Sequence, residues 1–219
     1  MAWLNPCKPR SMALSKTGTT TRYSIAGAKG WSVFRRRRSI RLDWAIKETA
    51  MREQFRDVSP EAQELQPILA GLFGEYAARY GDYFSRDAEV ERTEWYLAPK
   101  GLFIVLERNG EIIATGAYKP FDAQTAEIKR IWTKPTLRKQ GLAARVVQEL
   151  ERRAQRAGYR QIYLTTGFRQ PEAVRLYLSQ GYQAQFDLNR DPEEFSQPPF
   201  DGRLRFTKAL LAEKLSKTA

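Results

Sequence analysis

The sequence predicts an α/β (α+β) fold in which six to seven strands are interleaved with three helices. Short runs of β-branched and aromatic residues with alternating polarity indicate the strands. The dipeptide Asn109-Gly110 between two such runs predicts a hairpin. Serine or proline at the start and glycine at the end delimit the helices. A chain of 219 residues is long enough for one buried domain and a tail.

The first predicted elements are a strand and a helix. The segment "EQFRDVS" (53–59) has the composition of a short strand. Ser59 and Pro60 predict a helix start, with Ser59 as the N-cap, and Pro67 interrupts or delays the helix. Apolar residues then recur at helical spacing: Leu65, Ile68, Leu69, Leu72, Phe73 and Tyr76.

The hairpin spans "GLFIVLERNGEIIATGAY" (101–118) and is followed by a strand at 126–134 that ends before Pro135. Its apolar run, Gly101 to Leu106, is too short to cross a bilayer. Strict alternation predicts that the 126–134 strand has two distinct faces, formed by Glu127, Lys129 and Ile131 on one side and Ile128, Arg130 and Trp132 on the other.

The second half of the chain alternates helices and strands. Residues 141–157 predict a helix with one apolar face, an ion pair between Glu149 and Arg153, and a stop at Gly158. The remaining elements are a strand at 161–166, a helix at 171–181, and strands at 182–186 and 203–210.

Composition excludes several classes of site. The chain has no histidine and one cysteine, Cys7. Histidine-based nucleophile systems, histidine-ligated metals, thiolate metal cages and disulfides within the chain are therefore excluded. We expect no metal, and acid-base chemistry has to come from carboxylates, tyrosine, lysine or water.

The net charge of +12 is concentrated in the first 50 residues, which hold eleven of the 37 basic and two of the 25 acidic residues. The other 169 residues carry 26 basic and 23 acidic groups, so nucleic-acid binding by residues 51–219 is not expected. Residues 1–50 suit a disordered basic tail, an organelle transit peptide, or upstream sequence without a role. We favour the last, because strand-like sequence begins directly after Met51.

A basic loop with a glycine precedes the helix at 141–157 and suits an anion. Helix N-terminal amides lack internal partners, and the helix dipole favours negative charge there. Arg138 and Lys139 add positive charge, and Gly141 allows close approach to the backbone. The loop lacks the Gly-Lys-Ser/Thr of a P-loop and two glycines of a dinucleotide fingerprint. A basic loop capping a surface helix is the alternative.

Two motifs in order resemble the GNAT superfamily of N-acetyltransferases. Arg138-x-x-Gly141-x-Ala143 is similar to its R/Q-x-x-G-x-G/A signature, and residues 173–182 are similar to its A-x-x-L-Y-x-x-x-G-F segment. The resemblance implies that residues 51–219 form an N-acetyltransferase domain. It also implies a central mixed, mostly antiparallel six- to seven-stranded sheet, splayed between strands 4 and 5, with helices on both faces.

The same resemblance implies acetyl-CoA as acyl donor. The backbone of residues 131–133 would hold the pantetheine arm, and the amides of residues 138–143 would hold the pyrophosphate. Gln170 stands where many relatives have a cofactor-contacting Asn, and Ala143 replaces the commoner second glycine. The implied cofactor-binding set is Ile131, Trp132, Thr133, Arg138, Lys139, Gln140, Gly141, Leu142, Ala143 and Gln170.

Tyr177 matches the tyrosine that in such enzymes often protonates the departing thiolate. The transfer is uphill by about 1.5 pKa units, or roughly 2 kcal/mol. Glu127 is our candidate general base, acting through water, because baring an alkyl amine at pH 7 costs roughly 4.6 kcal/mol. The alternatives are a packing tyrosine and an ion-paired carboxylate.

The predicted activity is acetyl transfer from acetyl-CoA to a primary amine of a small molecule or amino acid by direct attack. A protein, peptide or N-terminal acetyltransferase and a non-catalytic acyl-CoA-binding module are alternatives. We expect a cytoplasmic enzyme that uses no membrane, with a homodimer left open. Arg79 is a candidate for binding a substrate carboxylate, or else a solvated arginine. The candidate substrate residues are Tyr76, Arg79, Tyr80 and Thr165.

Overall fold

The computed structural model describes residues 52–84 and 91–210, so the predicted extension of residues 1–50 lies outside the described residues. The helices are α1 (Gln66–Tyr80), α2 (Leu142–Arg156) and α3 (Pro171–Ser179). The strands are β1 (Glu53–Asp57), β2 (Leu102–Arg108), β3 (Glu111–Pro120), β4 (Thr125–Thr133), β5 (Gln161–Gly167), β6 (Gln183–Ala184) and β7 (Arg203–Ala209). Short 3-10 helices lie at Gln63–Leu65, Thr93–Tyr96, Pro135–Leu137 and Pro192–Ser196.

The strands form one seven-stranded sheet in the order β1-β2-β3-β4-β5-β7-β6. Every neighbouring pair is antiparallel except β4 and β5, which are parallel. The predicted mixed, mostly antiparallel sheet is confirmed. The β2–β3 hairpin turns at Asn109 and Gly110, whose φ values of 53° and 84° suit the predicted turn.

The sheet opens between β4 and β5, as predicted. Their pairing runs only from Thr125–Gln161 to Ile128–Leu164. Beyond that point β4 stays on β3 as far as Thr133, and β5 stays on β7 as far as Gly167. The two strands therefore diverge at their C-terminal ends and leave a gap in the middle of the sheet.

A bulge in β4 breaks the strict alternation that the sequence predicted. Thr115 pairs with Trp132 and Ala117 pairs with Lys129, so two residues of β4 stand opposite one residue of β3. Arg130 takes a φ of 59°, and its carbonyl oxygen accepts a 3.0 Å hydrogen bond from the Thr115 hydroxyl. The predicted face assignment is wrong beyond Lys129, because the bulge shifts the pattern by one residue.

Helices cover both faces of the sheet, as predicted. On one face Ile104 and Leu106 of β2 pack in the cluster that contains Val146 and Leu150 of α2. On the other face Phe103 and Val105 pack with Leu65 and Tyr96 from the 3-10 helices. No helix in the described ranges is long and apolar enough to span a membrane.

Helix α1 begins later than predicted. Ser59 does not cap a helix, since its carbonyl accepts from the amide of Ala62 and its hydroxyl from the amide of Glu61, forming a turn. The helix starts at Gln66, with Pro67 in its first turn. Pro67 therefore lies in the first turn of the helix, where its missing N–H leaves no hydrogen bond unmade.

Candidate active site

A cleft of about 880 Å³ occupies the gap between β4 and β5. Its walls come from α1, the outer halves of β4 and β5, the N-terminus of α2, and α3. Among described residues, Glu127 and Gln140 are the two candidates outside its lining. The fold brings the other fourteen candidates together: Tyr76, Arg79, Tyr80, Ile131, Trp132, Thr133, Arg138, Lys139, Gly141, Leu142, Ala143, Thr165, Gln170 and Tyr177.

The loop between β4 and α2 contains backbone amides that have no hydrogen-bond partner among the described residues. Lys139 and Gly141 both take left-handed conformations, with φ values of 64° and 76°. Gly141 is the N-cap of α2, and no side chain caps the helix there. Within residues 52–84 and 91–210, no hydrogen bond engages the N–H groups of residues 139–141. Such a concave set of free amides at a helix N-terminus is typical of an anion site.

Three cations surround this loop. Arg138 forms an ion pair with Glu75 of α1, which lies across the mouth of the cleft. Lys139 and Arg175 also line the cleft, and neither forms an ion pair with a described residue. Two uncompensated cations and one compensated cation thus line the same cleft as the loop, so the cleft favours a multiply charged anion.

The outer part of β4 has a free edge. Past Ile128 its backbone pairs with β3 on one side only, and the cleft lies on the other. An extended ligand with amide groups can pair with such an edge as an added strand does. The hydroxyl of Thr133 is buried beside it and has no hydrogen-bond partner among the described residues. This edge suits an amide-containing chain.

Tyr177 lies inside the cleft wall on α3 and is 6 % exposed. Its ring packs against those of Phe206 and Tyr182, at centroid distances of 5.5 and 5.8 Å. Burial raises the pKa of its hydroxyl above the ordinary value of 10. The phenol is therefore neutral at physiological pH and can act as a proton donor.

Glu127 lies in a charged cluster on the α1 face of the sheet. Its carboxylate is 3.4 Å from the ammonium groups of both Lys119 and Lys129. Glu91 joins the same cluster, at 3.1 Å from Lys119 and 2.6 Å from Lys129 and from Arg130. We call these five residues the β4 ion cluster. Lys129 and Arg130 line the cleft, so the cluster adjoins it.

Glu91 is the anionic centre of this cluster. Burial alone raises the pKa of its carboxyl, but the hydrogen bonds from Lys129 and Tyr96 and the charges of Lys129 and Arg130 outweigh burial and hold the pKa at about 2. The Glu91 carboxylate is therefore charged at any physiological pH, and it anchors the segment before β2 to the central strand.

The predicted cofactor contact Gln170 is tied to the end of β5. Its amide oxygen accepts from the Thr166 hydroxyl at 2.7 Å and from the Gly167 amide at 3.0 Å. It lines the cleft, but that oxygen is already used to join β5 to the N-cap of α3. The Gln170 side chain also makes a hydrogen bond to the Tyr76 hydroxyl, so this residue joins α1 to β5 and α3.

The candidate substrate residues have different surroundings. Burial raises the pKa of Tyr80 to about 12, and its hydroxyl accepts from the amide of Arg169 at 3.2 Å. Arg79 pairs with Glu172 at 2.6 Å and donates to the carbonyl of Arg169 at 2.9 Å. Arg79 therefore binds α1 to α3 in this structure. Tyr76 and Thr165 line the cleft.

Fourteen lining residues were not predicted as site residues, among them Glu75, Phe84, Lys129, Arg175 and Arg203. For Glu75 a signal was available, because the spacing of apolar residues predicted which face of α1 turns inward. Arg203 follows a long polar loop, and nothing in its local sequence indicates that β7 begins beside Gly167 of β5.

Comparison with known proteins agrees with this geometry. A model described as the acetyltransferase (GNAT) family matches residues 69–182, just over half of the chain. An Azospirillum brasilense protein named IAA acetyltransferase is 28 % identical over 120 residues, covering 54 % of this chain and 78 % of that protein.

Solved structures share the fold. A Klebsiella pneumoniae structure assigned as an acyl-CoA N-acyltransferase aligns with a TM-score of 0.55 at 21 % identity, covering 73 % of this chain and 98 % of its own. A Bacillus subtilis acetyltransferase in complex with CoA aligns with a TM-score of 0.50 at 17 % identity, covering 73 % and 100 %. The chain therefore belongs to the GNAT family of acetyltransferases.

Proposed function

We propose that this protein transfers the acetyl group of acetyl-CoA to a primary amine of a small molecule or amino acid by direct attack. One observation carries the proposal: the N-terminus of α2 has no side-chain cap, and in the preceding loop, where Lys139 and Gly141 line the cleft, the amides of residues 139–141 have no partner among the described residues. A pyrophosphate satisfies these amides and the nearby charges of Lys139 and Arg175.

The rest of the cleft fits the remainder of the donor. The free edge of β4 beyond Ile128 can accept the two amides of a pantetheine arm, and the Thr133 hydroxyl offers a further polar partner. When bound, acetyl-CoA supplies a thioester carbonyl for attack. Backbone amides of the bulged part of β4 can polarise such a carbonyl, because they face the cleft instead of a neighbouring strand.

The acceptor amine has to lose a proton before it attacks, at a cost of roughly 4.6 kcal/mol near pH 7 for a free alkyl amine. We propose Glu127 as the base, working through a water molecule because it does not line the cleft. Its carboxylate lies between two ammonium groups, so the structural alternative is membership of the β4 ion cluster alone.

Tyr177 is our proposed proton donor to the departing thiolate. Its raised pKa makes full proton transfer costlier than a comparison of free groups suggests. The same dry environment also raises the pKa of a thiol, since burial disfavours both anions. The mismatch between donor and thiolate therefore stays small, and transfer concerted with cleavage of the C–S bond avoids a free thiolate.

Calorimetry with CoA on the full chain tests the donor site. Gly141→Asp places a carboxylate among the free amides, and we expect at least a tenfold loss of CoA affinity through charge repulsion. Gly158→Asp is the matched control, because Gly158 also has a positive φ and open space, at the other end of α2. Equal CoA affinity in the two variants, or no binding by the parent chain, would overturn the proposal.

A further inference from the structure

We call the loop between β4 and α2, residues 134–141, the phosphate loop. The end of the cleft away from it carries several cations, and most of them are neutralised. Arg79 is paired with Glu172 at 2.6 Å. Lys129 and Arg130 are each 2.6 Å from Glu91. These cations hold the walls of the cleft together and have little capacity for a ligand.

Arg203 is different. Its guanidinium lies 3.4 Å from Asp201, but that carboxylate already binds Arg205 through two contacts of 2.5 and 3.1 Å. The guanidinium stands over the ring of Phe84, 5.4 Å from its centroid, and the side chain is 35 % exposed. Arg203 is therefore a positioned cation without a strong partner of its own.

Its place in the fold separates it from the phosphate loop. Arg203 opens β7 and pairs with Gly167, the last residue of β5, and Phe84 lies beyond the C-terminal end of α1. The Glu75–Arg138 ion pair, which marks the phosphate loop, involves the middle of the same helix. Arg203 thus lies on the far side of the gap, where an acceptor can approach.

The described lining has no spare negative charge for an ammonium group. Its acidic residues are Glu75 and Glu172, which pair with Arg138 and Arg79. A purely cationic acceptor, such as a polyamine, would meet net positive charge and no free carboxylate. An acceptor that also carries an anion would compensate Arg203.

We propose that the acceptor carries a carboxylate beside its reactive amine, and that Arg203 binds this carboxylate. The inference rests on the proposed acetyl transfer and narrows its substrate to amino-acid-like amines. A bidentate guanidinium–carboxylate contact orients the acceptor as well as binding it, because the two hydrogen bonds fix the plane of the carboxylate. Phe84 restrains the guanidinium for this contact.

The test measures acetylation by thiol release with matched acceptors: a set of amino acids, their primary amides, and the amines that lack the carboxyl group. We expect the parent chain to favour the acids by at least about tenfold in kcat/KM, the lower range for a charge-assisted hydrogen bond. Arg203→Gln should bring this preference to within about threefold, mainly through KM, and Arg203→Lys should restore part of it.

Arg190→Gln is the matched control, because Arg190 also stands over a phenylalanine ring, Phe200 at 5.3 Å, and pairs with an acid, Glu194. It lies outside the cleft lining, and its preference should equal that of the parent. The inference would be overturned if the parent used amides and simple amines as well as the acids, or if it turned over no acceptor. It would also be overturned if Arg203→Gln kept the preference of the parent. CoA calorimetry on the same samples reports folding and decides the donor site separately.

Discussion

The phosphate loop and the β4 ion cluster use the same kinds of residue for opposite purposes. In the cluster Lys119, Glu91 and Glu127 have side chains only 10–12 % exposed, and every charge lies beside an opposite one. Lys139 in the loop and Arg175 on α3 line the cleft, are exposed, and have no acidic partner among the described residues. The two regions adjoin the same cleft.

This difference separates charges that stabilise the fold from charges that await a ligand. A buried charge is costly unless it is paired, so removing one member of the cluster leaves its partners uncompensated. An exposed cation at a helix N-terminus costs the folded protein little, and its binding capacity stays available. Substitutions in the two regions should therefore affect different measurements.

The largest expected effect concerns Tyr177, which lines the cleft that both regions adjoin. Tyr177→Phe removes the proposed proton donor, and we expect kcat to fall by about 10³-fold, within the range for general acid catalysis. CoA affinity should stay within about twofold, because the ring that packs on Phe206 is kept. Because burial raises the pKa of Tyr177, ionisation of this residue should produce no alkaline loss of activity below pH 10. Unchanged kcat would exclude the role.

Glu91→Gln should have the largest effect on stability. The pKa of Glu91 is about 2 in the fold, against an ordinary value of 4.5, so its ionisation stabilises the fold fully above pH 4.5 and this stabilisation is lost as the pH falls toward 2. We expect a loss of about 3 kcal/mol in the free energy of unfolding at pH 7. The acid dependence of stability should flatten, as measured by urea denaturation between pH 2 and 7. A change below 1 kcal/mol would contradict the cluster's role.

Glu127→Gln distinguishes catalysis from cluster membership. As the proposed base, Glu127 should support about 10²-fold of kcat. Steady-state kinetics across pH and urea denaturation on the same samples provide the comparison. If only the unfolding free energy falls and kcat is unchanged, Glu127 belongs to the cluster alone, as Glu91 does.

The smallest effect is expected at the phosphate loop. Lys139→Ala together with Arg175→Ala should weaken CoA binding by about tenfold and reduce its salt dependence, since two screened contacts to phosphate are lost. The unfolding free energy should change by less than about 0.5 kcal/mol, because neither side chain has an ionic partner. Arg156→Ala together with Arg160→Ala, beyond the other end of α2, removes the same two charges and is the control. If the double variant and its control bind CoA equally well, these two cations do not contribute to CoA binding.

Much of the architecture follows from local signals in the sequence. Asn109-Gly110 predicted the hairpin, and the polarity pattern of 141–157 predicted α2 together with its Glu149–Arg153 pair, which the structure places at 2.6 Å. The start of α2 at its glycine-containing loop was equally predictable, because the residues that shape it are adjacent in sequence, while phosphate binding there stays a prediction.

Contacts between residues that are far apart in the chain could not be predicted from the sequence. The bulge at Arg130 depends on the pairing of β4 with β3, and strand periodicity alone gives no sign of it. Glu91 meets β4 through a contact between residues 39 positions apart, and Arg203 reaches the cleft only because β7 pairs with β5. The sequence analysis chose Arg79 for a carboxylate from its place on α1, yet Glu172 already compensates its charge.

The contact between α1 and the last residue of β5 restricts how this protein can change over evolution. A Cβ atom at Gly167 would collide with the hydroxyl and ring of Tyr80. Neither position can therefore change independently, because a larger residue at 167 requires a smaller one at 80. Replacing Tyr80 would also remove the hydrogen bond that its hydroxyl accepts from the Arg169 amide. Among homologues we expect these two positions to vary as a pair.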